Sequence, residues 1–348
     1  MNLDHAKRKN EHLSLAEKFY QPAHQEHPFD QVRLIPNALP EVATSEVDPA
    51  TSVAGLHLQW PFYFEAMTGG SQQAKVINAA LSNVAQQTDL AIATGSLSTM
   101  FKLPQFNDSF SIVRTNHPTG IVIANLSAKA TVEKAQQAID LLQADALEIH
   151  LNVAQETVMP EGDRDFHWLN NIKKLVQSLS VPVIVKEVGF GMSKETLHQL
   201  QQIGVQTVNV SGRGGTNFVQ IEDRRNHDQE FTDLHDWGLT TPEALFEAHA
   251  VPNIQVIASG GVSSPLDVIK AGVLGAHAVG VAGFFLHKYY TDGENGLLAT
   301  VKDWQTEIVR IMTMLSCRHF DELSKVPYVL KPQLLSYIQQ RKLEKGTV

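Results

Sequence analysis

The sequence predicts an α/β fold in which eight strands close into a (β/α)8 (TIM) barrel, with an N-terminal extension and a C-terminal helical segment. Three observations predict it. Short apolar and β-branched runs recur along the chain, most of them roughly 25 to 35 residues apart. Amphipathic segments of helical period lie between the runs, and polar or glycine residues end each run. Eight alternating strands and helices close most simply into a barrel.

The predicted strands are nearly continuous apolar runs, as expected of parallel strands that are covered on their outer face. The eight runs begin at Pro61, Leu90, Gly120, Ala146, Val181, Thr207, Ile254 and His277. A longer interval follows the sixth run and contains a polar stretch from Thr216 to His235. Within this stretch the Arg224–Arg225 pair can reach a phosphate or face water, and we favour water.

The helices between the strands follow from apolar spacing and from residues that begin or end helices. After the first strand, one helical face is predicted to carry Val76, Ile77, Ala80, Leu81 and Val84. Further amphipathic segments begin at Thr131, His167 and Ser193. Ser193 and the Ser264–Pro265 pair are typical of helix N-termini. Gly204 and Gly272 are predicted to end the two helices that these residues begin.

An open, doubly wound sheet is the alternative architecture. It predicts a G-x-G-x-x-G turn after the first strand, where this chain has AMTGGSQ. We therefore predict a single domain over residues 1–348. Residues 1–60 form an N-terminal extension or lid, residues 61–300 form the barrel core, and residues 301–348 form a C-terminal helical extension.

Composition excludes several classes of function. The 348 residues include 28 basic and 37 acidic ones, and the net charge of −9 argues against a nucleic-acid or membrane partner. The one cysteine, Cys317, excludes an internal disulfide and a cysteine-rich zinc site, and it fits a reducing compartment. The sequence has no apolar run long enough to span a membrane and no signal-peptide pattern. We expect a cytoplasmic protein.

Four polar residues mark the carboxyl ends of the predicted strands. In a TIM barrel the active site lies at these ends. A glycine or serine there is explained by turn formation alone, but Asn125, His150, Asn152 and Lys186 are poor strand terminators. Because all four lie at the same rim, the sequence predicts an active site there.

The last two strand ends predict a phosphate site. SGGV at Ser259 leads into the helix start at Ser264, and Ala282–Gly283 ends the final strand. Backbone N–H groups near glycine and a helix N-terminus bind phosphate, and barrels place phosphate at strands seven and eight in particular. The phosphate can belong to a substrate, a nucleotide or flavin mononucleotide (FMN).

Lys186 helps to choose between these ligands. As a cation it would hold the electron-rich end of a flavin and favour its reduced anion. As a Schiff-base nucleophile it would serve an aldolase, which needs an apolar pocket to lower the lysine pKa. Hydrogen bonds around the plane of the same flavin would come from Thr68, Ser96, Asn125 and Ser211. These features together favour an FMN barrel.

The segment HLNVAQE is the second candidate for chemistry, because it places His150, Asn152, Gln155 and Glu156 at and directly after a strand end. Glu156 can supply one carboxylate to Mg²⁺, with water and substrate phosphate filling the other positions. The alternative for Glu156 is a solvated surface charge.

A basic cluster at the N-terminus, Lys7–Arg8–Lys9, stands out in an acidic protein. It is either a solvated tail or a group of cations laid over the barrel mouth. In the second case Arg8 would offer bidentate donors to phosphate oxygens and Lys9 a point charge.

Together these motifs resemble the type 2, FMN-dependent isopentenyl-diphosphate isomerase family, from about Lys7 to the early 300s. The matching motifs are RKNEH at Arg8, AMTGG at Ala66, TGS at Thr94, HLNVAQE at His150, VKEVGFG at Val185, VSGRGGTNF at Val210, DWGLTT at Asp236 and SGGV at Ser259. The resemblance implies a reversible 1,3-allylic proton shift between isopentenyl diphosphate and dimethylallyl diphosphate. It also implies reduced FMN, Mg²⁺, NAD(P)H as reductant, and a homo-oligomer that is a tetramer or octamer.

The resemblance also implies roles for individual residues. Flavin contacts fall on Ala66, Met67, Thr68, Ser96, Asn125, Lys186, Ser211, Thr216, Gly260, Gly261, Val262, Ala282 and Gly283. Substrate contacts fall on Arg8, Lys9, His150, Asn152 and Gln155. The metal ligand falls on Glu156. The flavin itself is expected to be the main acid and base, with His150 and Gln155 as catalytic residues that position substrate or relay protons.

The chain departs from the family after Gly95–Ser96. Many members carry glutamine and a basic residue there, whereas this chain has Leu97 and Ser98. A diphosphate contact from this loop is therefore in question, and Lys102 is the residue that can compensate.

Two alternative functions remain open. One is an FMN-dependent hydroxy-acid oxidase or dehydrogenase, and the other is a non-catalytic barrel that binds flavin or phosphate. An oxidoreductase similar to inosine-monophosphate dehydrogenase needs a cysteine nucleophile in a barrel loop. Cys317 lies beyond the eighth strand, which argues against that third possibility.

Overall fold

The fold was analysed in a computed structural model that describes residues 2–20, 27–226 and 230–343. Parts of three predicted segments lie outside the described residues. They are residues 1 and 21–26 of the N-terminal extension, residues 227–229 of the long polar stretch, and residues 344–348 of the C-terminal extension.

Eight parallel strands form a closed barrel at the centre of the molecule. The strands of the described chain are β1 (Val32–Leu34), β2 (Thr51–Val53), β3 (Leu56–Leu58), β4 (Phe62–Phe64), β5 (Ile92–Ala93), β6 (Val122–Ser127), β7 (Ala146–His150), β8 (Val183–Lys186), β9 (Thr207–Asn209), β10 (Gln255–Ser259), β11 (Ala278–Val281) and β12 (Tyr328–Leu330). Strands β4 to β11 follow one another around the barrel, which closes where Val279 of β11 pairs with Phe62 of β4. The predicted barrel and its eight strands are confirmed, and the open doubly wound alternative is wrong.

Helices surround the barrel and extend it at both chain ends. They are α1 (Asn2–Phe19), α2 (Gln72–Thr88), α3 (Asp108–Asn116), α4 (Val132–Leu142), α5 (Val153–Val158), α6 (Leu169–Ser178), α7 (Lys194–Gln202), α8 (Phe218–Arg225), α9 (Thr241–His249), α10 (Pro265–Val273), α11 (Gly283–Met314) and α12 (Pro332–Arg341). Helix α11 is broken at Gly293, whose φ of 68° is not helical. Its first half follows the last barrel strand, and its second half continues past residue 301.

The core has two layers, because successive side chains of a strand point to opposite faces. In β4, Phe62 and Phe64 point outward and pack against Phe285 of α11. Tyr63, between them, points into the barrel and belongs to a separate interior cluster. Apart from Tyr63, that interior cluster is aliphatic. The interior of the barrel is therefore filled by packed side chains, as is typical of this fold.

The predicted helix starts are confirmed by their caps. The hydroxyls of Thr131, Ser193 and Ser264 each accept a backbone N–H from the first turn of the following helix. The prediction for Val76 is wrong, since this side chain is 54% exposed. Val76 precedes Ile77, and adjacent helical residues point about 100° apart, so it falls off the buried face.

Gly272 does not end α10, contrary to the prediction. It lies inside the helix, where a Cβ atom would come within 2.7 Å of the Phe320 ring. Close packing therefore explains this glycine. The turn that follows the helix is made at Gly275, whose φ of 88° favours glycine. Gly204, with φ of 97°, does end α7 as predicted.

The two ends of the chain are joined on the outside of the barrel. Strand β1 pairs antiparallel with β12, so that Val32 lies opposite Leu330. Helix α12 is held by Arg341, whose guanidinium donates to Glu247 of α9 and to Glu195 of α7. Within the described part of the chain, no helix is long and apolar enough to cross a membrane.

Candidate active site

A cavity of about 710 Å³ opens at the carboxyl ends of the barrel strands. Its volume is typical of a site that encloses a cofactor or a small molecule. The structure brings every sequence-predicted site residue to its wall. These residues are Arg8, Lys9, Ala66, Met67, Thr68, Ser96, Asn125, His150, Asn152, Gln155, Glu156, Lys186, Ser211, Thr216, Gly260, Gly261, Val262, Ala282 and Gly283. Helix α1 reaches the same wall, with Leu13 and Phe19 among the lining residues.

Between the cavity and the aliphatic cluster lies a polar network inside the barrel, which was not predicted from the sequence. The Tyr63 hydroxyl lies 2.9 Å from Glu65 Oε2 and 3.3 Å from Glu148 Oε1. Asn209 Nδ2 donates to Glu65 Oε2 over 2.5 Å, and its Oδ1 accepts the Ser259 hydroxyl. The signal in the sequence was a carboxylate inside an apolar strand, as in ALEIH, because a buried charge needs partners.

The two carboxylates of this network are fully enclosed. Glu148 is 0% exposed, and burial followed by the neighbouring Glu65 raises its pKa. Burial also raises the pKa of Tyr63 well above its usual range. Burial and a neighbouring acidic group both disfavour the charged form of a carboxyl group, which is the direction of the shift at Glu148.

Lys186 brings one positive charge to the same network. The residue is 5% exposed, and its Nζ donates to the carbonyl of Glu187 over 3.0 Å. Nζ lies 3.8 Å from Glu65 Oε2, which is an ion pair without close hydrogen-bond geometry. The ammonium therefore keeps capacity for a further acceptor in the cavity.

His150 sits one layer above Glu148 on the same strand. Its Nδ1 lies 2.8 Å from Oδ1 of Asn125. Burial, followed by the charges of Lys9 and Lys186, lowers the pKa of His150 to about 3. The imidazole is therefore neutral near pH 7.

The residues after β7 form a hydrogen-bonded group at the cavity wall. Asn152 Nδ2 donates to Glu156 Oε1 over 2.9 Å, and Gln155 Nε2 donates to Glu222 Oε1 over 3.0 Å. His12 Nε2 of α1 lies 2.9 Å from the same Glu222 oxygen. Glu222 thus joins the N-terminal helix to the HLNVAQE segment. His12 is the last residue of the RKNEH motif, but neither His12 nor Glu222 was assigned a role from the sequence.

Arg225 does not face water, contrary to the prediction. Its guanidinium contacts Glu222 and forms ion pairs with Glu161 at 3.0 Å and Glu11 at 3.3 Å. Helix α8 places Glu222 and Arg225 three residues apart on one face, and α1 supplies Glu11. Arg224 is exposed, as predicted.

The N-terminal basic cluster reaches the cavity through two side chains. Arg8 Nη1 lies 3.5 Å from Glu161 Oε1, and Arg8 Nε is buried without a hydrogen-bond partner among the described residues. Burial, followed by the charge of Arg8, lowers the pKa of Lys9 to about 8. Two adjacent cations at a cavity wall favour an anionic ligand.

The predicted phosphate site is a glycine turn between two helix N-termini. Gly260 and Gly261 have φ of 94° and 74°, and a Cβ atom on Gly260 would lie 1.9 Å from the Gly212 carbonyl oxygen. The turn leads into α10, and α11 begins at Gly283 beside the Thr216 hydroxyl. This arrangement exposes backbone N–H groups in the way a phosphate requires.

These residues fit FMN. The phosphate would occupy the glycine turn, and Lys186 would face the ring system as a cation. At the opposite wall, Thr68 Oγ1 is buried without a hydrogen-bond partner among the residues described. A buried hydroxyl without a partner is costly unless a ligand supplies one.

Glu156 is the carboxylate that the HLNVAQE segment brings to the cavity wall for a divalent cation. In the described ranges no group of three histidine, cysteine, aspartate or glutamate side chains is placed to hold a metal. Glu156 Oε1 accepts from Asn152, and Oε2 accepts the Asp163 N–H over 2.7 Å, so each oxygen keeps a free lone pair. This fits Mg²⁺, which is commonly held by one or two carboxylates together with water and substrate phosphate.

The loop that departs from the family faces the cavity only in part. Leu97 is fully buried in the hydrophobic core. Ser98 and Lys102 line the cavity, and the Ser98 hydroxyl lies 3.0 Å from that of Ser96. Cys317 is buried away from the cavity, and burial raises the pKa of its thiol to about 11.

Solved structures share this architecture. An arginine-to-lysine mutant of flavocytochrome b2 superposes with a TM-score of 0.68 and 19% identity, covering 97% of this chain and 89% of the other. A mandelate oxidase mutant with a monooxide FMN adduct superposes with a TM-score of 0.62 and 16% identity, covering 87% and 90%. At this level of identity the likeness is one of fold.

Sequence comparison gives the family. The family model described as FMN-dependent dehydrogenase matches residues 112–329. A protein of Limosilactobacillus reuteri subsp. reuteri (strain JCM 1112) named isopentenyl-diphosphate delta-isomerase is 57% identical over 346 residues, covering 99% of both chains. Proteins of the same name are 48% identical in Latilactobacillus sakei subsp. sakei (strain 23K) and 44% identical in Staphylococcus aureus (strain Newman), each covering 97% of this chain and 96% of the relative. The chain therefore belongs to the isopentenyl-diphosphate delta-isomerase family, on the barrel fold of the FMN-dependent dehydrogenases.

Proposed function

We propose that this protein is an isopentenyl-diphosphate delta-isomerase, which interconverts isopentenyl diphosphate and dimethylallyl diphosphate by a 1,3-allylic proton shift. The observation that carries the proposal is the single cavity whose wall contains every residue expected to contact cofactor, substrate and metal. Family membership over nearly the whole chain supports it.

We propose FMN in its reduced form as the cofactor. When bound, it supplies an electron-rich ring that gives and takes the proton and stabilises the positively charged state of the alkene. Gly260, Gly261 and Gly283 would hold the phosphate with backbone N–H groups. Thr68 would donate its unpartnered hydroxyl, and Lys186 would place positive charge beside the ring.

The substrate needs a cationic rim above an apolar pocket. Arg8 and Lys9 face the cavity and would bind the diphosphate oxygens. Asn152 and Gln155 would orient it through their amide groups. Leu13 and Met67 line the same cavity and would contact the five-carbon chain.

Glu156 is the proposed Mg²⁺ ligand, with water and the substrate diphosphate completing the shell. The cation would draw charge from the phosphate oxygens and fix the substrate relative to the rim. His150 and Gln155 are the proposed catalytic residues, which position substrate or relay a proton near the ring.

Two further parts of the proposal rest on the family resemblance alone, namely NAD(P)H as the reductant and a homo-oligomer that is a tetramer or octamer. The proposed cytoplasmic location rests instead on the composition and on the one cysteine, Cys317. Size-exclusion chromatography with light scattering tests the assembly, and anaerobic bleaching of the flavin spectrum by NADPH tests the reductant.

The activity is tested by anaerobic incubation with isopentenyl diphosphate, FMN, Mg²⁺ and a reductant. We expect the allylic isomer to form without net oxidation. Oxidation of a hydroxy acid with flavin reduction would instead favour the oxidase alternative. Flavin binding without either product would favour a non-catalytic barrel.

The metal role is tested by Glu156→Gln. Loss of this carboxylate should lower Mg²⁺-dependent kcat/KM more than about 100-fold, while FMN remains bound. Glu133→Gln, which removes an exposed carboxylate on α4, is the matched control and should change neither. Unchanged Mg²⁺ dependence in the Glu156 variant would remove this residue from the metal site.

A further inference from the structure

Three polar side chains from two neighbouring strands stack inside the barrel below the cavity. Asn125 Nδ2 donates to Glu148 Oε2 over 3.1 Å, and Asn125 Oδ1 lies 2.8 Å from His150 Nδ1. Asn125 pairs with Glu148 in the sheet, and His150 is two residues beyond Glu148 on the same face. The chain Glu148–Asn125–His150 therefore runs from the buried network up to the cavity wall.

The orientation of the Asn125 amide follows from counting protons in the network. The Tyr63 oxygen accepts a hydrogen bond from Asn209 Nδ2 over 3.3 Å, and it also contacts the carboxyl oxygens Glu65 Oε2 and Glu148 Oε1. Each contact between two oxygens needs one hydrogen. The tyrosine supplies only one. The other must be a carboxyl proton, on Glu148 Oε1 or on Glu65 Oε2. The first is favoured, because Lys186 and Asn209 both lie against Glu65 Oε2.

Both assignments leave Glu148 Oε2 as an acceptor. Asn125 must then turn its NH₂ group toward Glu148 and its oxygen toward His150. The reversed amide would require a proton on Glu148 Oε2, and the contacts around Tyr63 would then lack a hydrogen. A buried pair of facing acceptors is costly, so the reversed amide is excluded.

We infer that Glu148 is a positioning residue that acts through Asn125 to hold His150 with its proton on Nδ1. The Asn125 oxygen can only accept, so His150 Nδ1 must donate. Nε2 is then the bare ring nitrogen, and it is the one left for a ligand in the cavity. The buried carboxyl group thereby makes His150 a hydrogen-bond acceptor toward the site.

The consequence for catalysis rests on the proposed function. Within that function, His150 accepts a hydrogen bond from a proton-bearing atom of the bound substrate or cofactor. A histidine with the proton on Nε2 would offer a donor at the same place, which is the opposite chemistry. The identity of the tautomer is a property of the protein by itself and does not require turnover.

The tautomer can be measured directly by long-range ¹⁵N–¹H NMR on protein with ¹⁵N-labelled histidine, near pH 7. The His150 signals are identified as those missing from His150→Gln. We expect Nδ1 to show the shift of a protonated nitrogen and Nε2 that of a bare one. The reverse pattern in the wild-type protein would overturn the inference, whatever the isomerase assay gives.

Two substitutions of Glu148 separate hydrogen bonding from charge. Glu148→Gln mimics the protonated acid, because its NH₂ can donate to Tyr63 while its oxygen accepts from Asn125. It should keep the Nδ1–H tautomer and kcat/KM within a few-fold of wild type. Glu148→Leu removes both contacts, so the His150 signals should report a mixture and kcat/KM should fall by about tenfold or more.

A leucine variant that retains the pure Nδ1–H form, or a glutamine variant that loses it, would contradict the assignment. If the leucine variant does not fold, the wild-type and glutamine spectra still decide the question. Failure of the isomerase assay with the expected tautomer present would overturn the proposed function and leave the tautomer assignment standing.

Discussion

The two ends of the barrel use basic side chains in opposite ways, one partly buried and the other buried. At the amino-terminal end, Arg114 is surrounded by acceptors, donating to the carbonyls of Leu142, Gly120 and Gln143 and to the carboxylate of Asp145. At the carboxyl-terminal end, Lys186 has one carbonyl at 3.0 Å and one carboxylate at 3.8 Å. The first cation has its donors matched by the protein, and the second keeps capacity for a ligand.

The difference in hydrogen-bond partners distinguishes a side chain that stabilises the fold from one that is available to a ligand. A buried polar group with all its partners fixes the local backbone, whereas one with few partners costs free energy until a ligand binds. The hydroxyl of Thr68 and the Nε atom of Arg8, both buried without partners among the described residues, fall in the second group. Functional sites are where such local costs are expected to persist.

The largest expected effect is on the ligand side of this comparison, in Lys186→Met. Loss of the cation should weaken FMN binding and lower isomerase kcat/KM by about 100- to 1000-fold, the range measured for one preorganised electrostatic contact. FMN titration measures the change in cofactor binding, and steady-state kinetics measure the change in kcat/KM. Wild-type flavin affinity and activity in this variant would show that the cation faces no ligand.

Arg114→Leu is the converse change. It leaves the partly buried carbonyls of Leu142 and Gly120 and the Asp145 carboxylate without their donor, so the free energy of unfolding should fall by about 3 kcal/mol. Urea denaturation measures this loss, with Arg310→Leu on the exposed face of α11 as the control. The kinetic constants of the folded Arg114 variant should match wild type. If the folded Arg114 variant lost activity without losing stability, the assignment of one barrel end to stability and the other to ligand binding would be wrong.

The smallest expected effect is on stability in acid. The pKa of His150 is about 3 in the folded protein, against about 6.5 in an unfolded chain, so between these values only the unfolded chain takes up the proton. Wild-type stability should therefore fall as the pH drops from 7 to 5. His150→Gln should recover about 1 to 2 kcal/mol of that loss in urea titrations. His167→Gln, at a side chain that is 98% exposed, is the control and should recover none.

The barrel strands and the polar residues at their carboxyl ends could be predicted from the sequence, because both depend on local patterns. An apolar run followed by a polar or glycine residue defines a barrel strand and its carboxyl end together. Asn125, His150 and Lys186 were found in this way, and all three line the cavity. Their roles in binding and catalysis stay predictions until the experiments above are done.

The buried network could not be read in the same way, because its partners come from distant strands. Glu65 directly follows β4 in the chain, whereas its hydrogen-bond partner Asn209 belongs to β9. Glu222 contacts His12 across more than half of the chain. Chain spacing gives no indication of such pairs, since they depend on how the barrel closes and where α1 lies.

The closure of the barrel also has a consequence for how the protein is made. The first barrel strand, β4, pairs with the last, β11, and β1 near the start of the chain pairs with β12 near its end. Such contacts carry a large loop-closure cost, and they cannot form until the distant partner has left the ribosome. We therefore expect nascent chains that end before β11 to expose the edges of β4 and β10. During synthesis these edges would be the sites most in need of chaperone protection.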